Sequence, residues 1–394
     1  MTDRPLRIAV LGTADIARRR VLPAMAADPD IELTAVASRD GGRAREVAEQ
    51  FGCAAVESYD AVLTRDDVDA VYVPLPISLH AEWAGRALRA GKHVLAEKPL
   101  TADRPTTEAL LGLARASGLV LMENVMFVHH PQHSVVRELV TSGAIGQLRA
   151  FSAAFAIPSL PAGNIRHRPE LGGGALLDVG YYPVRAALYF LGAGLEIVGA
   201  ALESSGGSAV ETSGAVLVRS PSGVLGQLAF GMEHAYRSAY ELWGSEGRIR
   251  VEPAFTPPAD HKPAVWITDA HGPRELTLAP HDQVAATVRA FVRAVRSGAV
   301  ESPDAGECLE QALLLDAVRA RATHQRPPQT VPTRPASPSA ALSTSLSTSP
   351  SVSPSASPSS ASPSVSPSAS PSASPSVSPS VSPPDEERTD RDRD

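Results

Sequence analysis

The sequence predicts an α/β protein in two folded parts: an N-terminal Rossmann-type doubly wound parallel sheet, then an α/β domain with an open-faced, mainly antiparallel sheet. A disordered C-terminal tail follows. Short apolar runs alternate with helical periodicity from residue 7 to about 122; after Asn124 several strand-like runs follow one another without helices; and from about Pro332 the chain becomes Ser-Pro repeats. The expected boundaries are 1–124, 125–330 and 331–394.

In the first part, residues 7–11, 31–37, 70–73, 93–96 and 120–122 read as buried strands, and 16–27, 43–51, 79–90 and 106–117 as helices. This alternation implies right-handed crossovers and a parallel sheet, with ligands bound beyond the carboxyl ends of the strands. In the second part a helix near Ser134–Thr141 precedes a strand over 148–157 and a glycine-led helix. Strand candidates follow around Ile197, Ala215, Leu225, Tyr240 and Ile249. Such a run of strands predicts an antiparallel sheet that can keep one face open for a substrate or for a second copy of the chain, so a homo-oligomer is expected. Asp282 reads as the N-cap of a helix with Val284, Val288, Phe291, Val292 and Val295 on one face, and a last helix spans about Cys308–Ala322. Units such as Ser-Pro-Ser-Val bury little and block regular ladders, so the tail is expected to be an extended solvated appendage.

Composition narrows the partners. With 36 Lys plus Arg against 43 Asp plus Glu, the net charge of -7 leaves no overall basic field to recruit nucleic acid or anionic lipid. The apolar stretch Ile8–Leu11 is too short for a signal peptide, and no run approaches the ~20 apolar residues of a membrane span. Cys53 and Cys308 fall in different parts of the chain with no metal-type spacing, which fits reduced, small, buried residues and a cytoplasmic protein.

The first strand meets the first helix at Val10-Leu11-Gly12-Thr13-Ala14-Asp15-Ile16-Ala17. This is a degenerate dinucleotide fingerprint: Ala14 and Ala17 stand where glycines are usual, but Gly12 permits the tight turn and the helix start attracts a pyrophosphate. Gly12, Thr13, Ala14 and Ile16 are therefore cofactor candidates. At the end of the second strand Ser38 and Arg39 offer a hydroxyl and a guanidinium to a 2'-phosphate, where an NAD enzyme would place an acid. NADP(H) is the expected cofactor, with Asp40 readable as a helix cap. Leu75 and His80 follow the strand at 70–73, on the nicotinamide side of the crevice. His80 is either a cofactor contact or a structural hydrogen-bonding group.

The chemistry-bearing residues lie in two segments far apart, Ala96-Glu97-Lys98-Pro99-Leu100 and Gly172-Gly173-Gly174-Ala175-Leu176-Leu177-Asp178-Val179-Gly180-Tyr181-Tyr182-Pro183. Lys98 ends a strand facing the crevice, and Glu97 is placed to orient its ammonium and counts with the cofactor-side residues. Asp178 and Tyr182, four residues apart, share one helix face. A phenol titrates near ~10, and a cation such as Lys98 favours its ionised form, which suits proton transfer to a carbonyl under reduction. Arg166, just before the glycines, is a candidate for a cofactor or substrate phosphate or else a solvated loop residue. His129, His130 and His133 surround Pro131 without a companion cysteine or carboxylate at ligand spacing, so no metal is expected.

Residues 5 to about 325 resemble the glucose-fructose oxidoreductase and inositol dehydrogenase family, on the strength of Glu97-Lys98-Pro99 and the Gly-Gly-Gly-Ala-Leu-Leu-Asp-Val-Gly segment. Many members have histidine where Tyr182 stands; tyrosine is similar to the sugar ketoreductase and dihydrodiol dehydrogenase branches. The run from Ala14 to Met25, Val73-Pro74-Leu75-Pro76 and the run from Glu123 to His130 resemble the NDP-hexose 3-ketoreductases. That resemblance implies NADPH-dependent reduction of the C3 ketone of a dTDP-linked 3,4-diketo-2,6-dideoxyhexose. In this reading Tyr182 protonates the C3 oxygen, Lys98 polarises the carbonyl and Asp178 orients the pair. The rival readings are an NADP-dependent sugar or dihydrodiol dehydrogenase, which uses the same pair to oxidise an alcohol, and a noncatalytic NADP-binding regulator, which needs neither Lys98 nor Tyr182.

Overall fold

The structure, a computed structural model, describes residues 4–298 and 303–324. The Ser/Pro-rich tail expected from residue 331 lies outside the described residues.

Strands and helices alternate through the first 124 residues: β1 (Leu6–Leu11), a π-helical turn (Ala17–Val21) into α1 (Leu22–Ala26), β2 (Ile31–Ala37), α2 (Gly41–Phe51), β3 (Ala54–Val56), α3 (Tyr59–Leu63), β4 (Ala70–Val73), α4 (Ile77–Arg89), β5 (His93–Glu97), α5 (Arg104–Ser117) and β6 (Leu121–Asn124). All six strands pair in parallel, in the order β3-β2-β1-β4-β5-β6. The order reverses between β1 and β4, and a ligand crevice opens at the carboxyl ends there. β3 and α3 were not anticipated, because three residues of Ala-Ala-Val carry no readable period. α2 and α5 each begin two residues before the expected start, because a side chain caps each of them. Asp40 accepts the Gly42 and Arg43 N–H groups ahead of α2, and Asp103 accepts the Thr106 N–H ahead of α5.

This sheet is covered on both faces, as a parallel sheet must be. Ala9, Leu11, Val71, Val73, Val94 and Ala96 face Ala84, Leu88, Leu110 and Leu111 of α4 and α5. The alternate residues Ile8, Val10, Tyr72 and Leu95 face Leu22 and Met25 of α1, together with Val284, Val288, Phe291 and Val292. The first core thus draws on a helix some 160 residues beyond its last strand, and the Asp282 side chain caps that helix through Val284 and Ala285.

The remaining elements are α6 (Pro131–Thr141), β7 (Leu148–Ala156), a π-helical turn (Leu176–Gly180) running into α7 (Tyr181–Leu191), β8 (Glu196–Glu203), β9 (Ser213–Arg219), β10 (Leu225–Gly231), β11 (Arg237–Gly244), β12 (Gly247–Val251), β13 (Ala264–Asp269), β14 (Gly272–Thr277), α8 (Gln283–Ser297), α9 (Ala305–Arg321) and β15 (Ala322–His324). Nine strands form one sheet in the order β14-β13-β12-β11-β7-β10-β9-β8-β15. Its pairings are antiparallel except β7 with β10 and β8 with β15, so the sheet is mixed with an antiparallel majority. β13 and β14 were not anticipated; β14 is charged and almost wholly exposed, with no buried alternate positions. One face packs Phe151, Phe230, Tyr240 and Ile249 against Val184 and Ala187 of α7. The other is open: Ser152, Ala154, Ala215, Gln227, Ala229 and Glu241 line a concavity of about 670 Å³. Among the described residues, no helix is long and apolar enough to cross a membrane.

Candidate active site

Lys98 stands in the turn after β5, where the peptide bond to Pro99 is cis. Its ammonium reaches across to the π-helical turn before α7 and donates to the Asp178 carbonyl at 2.7 Å and to Asp178 Oδ1 at 3.0 Å. Arg166 Nε donates to the other carboxylate oxygen, Oδ2. Burial alone would raise the Asp178 carboxyl, but the two cations outweigh it and hold it at about 2. Burial likewise pulls the Lys98 ammonium down, and Asp178, with Tyr182 beside it, more than restores it. The pair is therefore fully ionised at neutral pH.

Tyr182 lies beside this pair, its ring centroid 4.9 Å from Lys98 Nζ. Phe155, Phe255 and Phe127 surround the ring at centroid distances of 4.6, 5.7 and 6.0 Å. The sequence reading expected Lys98 to favour the phenolate. Lys98 does pull the phenol down, but burial among these rings is the larger effect and the net direction is upward. The phenol is thus a proton donor at neutral pH. Among the described residues its hydroxyl makes no hydrogen bond, which leaves it available to a ligand. Its neighbour Tyr181 is fully buried and donates to Glu123 Oε2 at 2.7 Å.

Local chemistry explains the glycine-led start. Gly174 has φ +121°, and a Cβ there would run into the Glu211 carboxylate, which accepts the Leu176 N–H at 3.0 Å. The glycine lets an acid anchor the helix start, and π-helical turns of this kind recur at functional sites. Glu211 carried no sequence signal.

Glu97 does not orient the ammonium: its Oε1 accepts from Tyr72 Oη and Asn124 Nδ2, each at 2.6 Å, while Asp178 holds Lys98. Side chains alternate across a strand, so Glu97 turns to its register partner Asn124 while Lys98 turns to the crevice. Nor does His80 project into the crevice. It is 1% exposed, with Nδ1 2.9 Å from the Pro99 carbonyl and Nε2 2.7 Å from the Leu75 carbonyl. It ties the turn after β4 to the turn holding Lys98.

The turn after β1 is built mainly from backbone. Gly12 donates to the Ala37 carbonyl at 2.8 Å, its φ is +124°, and a Cβ would sit 3.0 Å from Leu75 Cδ2 and 3.3 Å from the Pro74 carbonyl. Only glycine lets the turns after β1 and β4 touch. Thr13 and Ala14 are half-buried, and Ile16 is exposed at the helix start. Beyond β2, Ser38 Oγ accepts the Asp40 N–H and Arg39 is exposed beside the Tyr59 phenol. The Asp40 carboxylate is committed to capping α2.

Two of the three histidines, His130 and His133, take structural roles. His130 Nδ1 accepts the Gln132 N–H ahead of α6, and His133 is buried with Nδ1 3.0 Å from Tyr240 Oη. The acid-thiol group that comes together among the described residues is a different one, Glu123, Asp304 and Cys308. Cys308 Sγ donates to Glu123 at 3.4 Å, and the Glu123 N–H donates to Asp304 Oδ2 at 3.0 Å, while Asp304 Oδ1 has no hydrogen-bond partner among the described residues. Cys53 is half-buried and Cys308 buried, both as free thiols.

Two family descriptions match the chain: "Oxidoreductase family, NAD-binding Rossmann fold" over residues 6–125, and "GFO/IDH/MocA C-terminal domain" over residues 133–250. The chain is 54% identical over 315 residues to a dTDP-3,4-didehydro-2,6-dideoxy-alpha-D-glucose 3-reductase from Actinomadura kijaniata, covering 80% of this chain and 95% of that protein. It is 54% identical over 327 residues to an enzyme of the same name from Streptomyces violaceoruber, covering 81% and 96%. A crystal structure of a 3-ketoreductase from Actinomadura kijaniata with NADP and TDP-benzene superimposes with a TM-score of 0.80 at 52% identity, covering 82% of this chain and all of that one. That ketoreductase has also been solved with a tyrosine replaced and with a lysine replaced, at two positions separated by as many residues as Lys98 and Tyr182 are here. The chain belongs to the GFO/IDH/MocA oxidoreductase family.

Proposed function

We propose that this protein reduces the C3 ketone of a dTDP-3,4-diketo-2,6-dideoxyhexose with NADPH, a step that supplies 4-keto deoxysugars to antibiotic glycosides. One observation carries the reading: Lys98, Asp178 and Tyr182, from segments eighty residues apart, meet at the carboxyl end of β5 with a charged ammonium and a protonated phenol side by side. A noncatalytic binding module has no use for that arrangement. In this account residues 1–124 hold the cofactor, and 125–330 hold the substrate and the oligomer contact. The open face of the nine-stranded sheet, with Trp243 and Trp266 exposed, is the surface we assign to a second copy of the chain.

The residues present fit NADP(H). The Gly12 turn leaves room for a pyrophosphate at the start of the first helix, Thr13, Ala14, Ile16 and Leu75 border that turn, and Ser38 and Arg39 suit a 2'-phosphate. When bound, NADPH supplies the hydride. Negative charge then develops on the C3 oxygen of the sugar. Lys98 holds two of its three ammonium donors on Asp178 and turns the third toward that oxygen, stabilising the charge in a site partly closed to water. Tyr182 hands its phenolic proton to the same oxygen, and the neighbouring ammonium stabilises the phenolate until solvent reprotonates it. Asp178, fixed by Arg166, keeps the lysine from swinging away.

NADPH consumption, followed with the labile diketo sugar generated in situ by its dehydratase, tests the assignment. Consumption that depends on the sugar and yields a 4-keto-2,6-dideoxy product is expected. Tight NADPH binding without consumption, beside an active control ketoreductase, would refute it.

A further inference from the structure

Glu123, near the end of β6, takes no part in the chemistry described above, yet it touches both halves of the reacting pair's support. It is 2% exposed. Its Oε1 accepts the Leu100 N–H at 2.7 Å, two residues along from Lys98. Its Oε2 accepts the Tyr181 hydroxyl at 2.7 Å, one residue before Tyr182. Arg185 Nη1, also buried, lies 3.7 Å from Oε2 and balances the charge. A buried carboxylate costs several kcal/mol unless its lone pairs are filled; here the backbone of one catalytic segment and the side chain of the other supply the two short bonds, and Cys308 Sγ adds a longer one to Oε2 at 3.4 Å.

We propose that Glu123 is a positioning residue: by accepting from Leu100 N–H and Tyr181 Oη at once, it sets the separation between the Lys98 ammonium and the Tyr182 phenol. Apolar packing alone would hold α7 on the sheet without fixing that separation, whereas two short hydrogen bonds to one rigid strand end do. The Tyr181 phenol suits the task, because burial and the adjacent Glu123 raise it well above its ordinary range and keep it a donor. The Tyr181 and Tyr182 rings lie 5.9 Å apart at 85°, so a shift of the first is felt by the second.

This inference rests on the ketoreductase reading, and Tyr181→Phe tests it because only one hydroxyl is removed. Misplacement by 1 Å costs on the order of a hundredfold in rate, so a partial loosening is expected to lower kcat about tenfold. The KM for NADPH should stay within about twofold, and the primary deuterium isotope effect on kcat should rise as hydride transfer becomes slower. Glu123→Gln should lower kcat as well, and the double variant should fall short of the product of the two losses. A lowered melting temperature with kcat per folded site and isotope effect unchanged would overturn the proposal. A crystal structure of Tyr181→Phe separates this failure from failure of the substrate assignment, because it needs no substrate. A changed separation between Lys98 and Tyr182 is expected there, and wild-type geometry would refute the role.

Discussion

The turn after β1 and the cluster at the end of β5 serve the same crevice but are built of different materials. The first is backbone: Gly12 and its contacts with Leu75, Pro74 and Ala37. The second is side chain held by side chain, with Lys98 on Asp178, Asp178 on Arg166, and Tyr181 on Glu123. A cofactor common to many enzymes needs a shape, which backbone supplies and many sequences tolerate. Proton transfer needs particular groups at particular distances, and each must be oriented by another. Damage to the first region should therefore appear in cofactor affinity, and damage to the second in turnover.

Lys98→Ala should break the comparison hardest. It removes the cation facing the developing charge and leaves Asp178 with Arg166 alone, and a loss in kcat of about 10³ is expected from the removal of one such donor. Affinity for NADPH, read by fluorescence titration, should change little. Tyr182→Phe should cost about 10² in kcat, at the low end for a general acid because water can enter in its place. Arg39→Ala tests the cofactor side of the crevice beyond β2: its KM for NADPH should rise about tenfold, the worth of one charge-assisted hydrogen bond, while the KM for NADH stays put. Equal changes for both cofactors would remove the 2'-phosphate role.

The smallest effect expected is on stability. Burial holds His129 and His130 at about 4 and His133 at about 3, below the ordinary histidine value. Their neutral forms belong to the folded state, so their contribution is complete above the unfolded value of ~6.5 and is lost as pH falls toward those lower values. Asp304, which burial and Glu123 raise to about 7, acts in the opposite sense as pH rises. The difference between wild type and His133→Leu isolates the histidine. Between pH 6.5 and 4 the wild-type melting temperature should fall more steeply, by about 2–4 °C per kcal/mol lost.

Much of this was legible in the chain. Strands with uninterrupted Val, Ile and Ala gave away the parallel sheet, and Asp282 ahead of a helical repeat gave away the start of α8. The two segments that meet at Lys98 and Tyr182 were readable because Pro99 and the three glycines mark where ordinary strand and helix are interrupted. What stayed hidden has physical reasons. A three-residue strand such as β3 has no period, and an exposed edge strand such as β14 has no buried face. The partner of a buried acid is fixed only by tertiary contact, so Glu97 was assigned to Lys98 although it serves Tyr72 and Asn124. Glu123 left one readable trace: an acid followed by an amide at the end of an otherwise apolar strand, where both must find donors.

The account turns on delivery of hydride to C3 beside Lys98 and Tyr182, and the label in the product tests that most directly. With NADPH carrying deuterium at both positions of nicotinamide C4 and the diketo sugar generated in situ, mass spectrometry and proton NMR should find one deuterium, at C3 of a 4-keto-2,6-dideoxy product. Deuterium at C4, or a product formed without label, would contradict it.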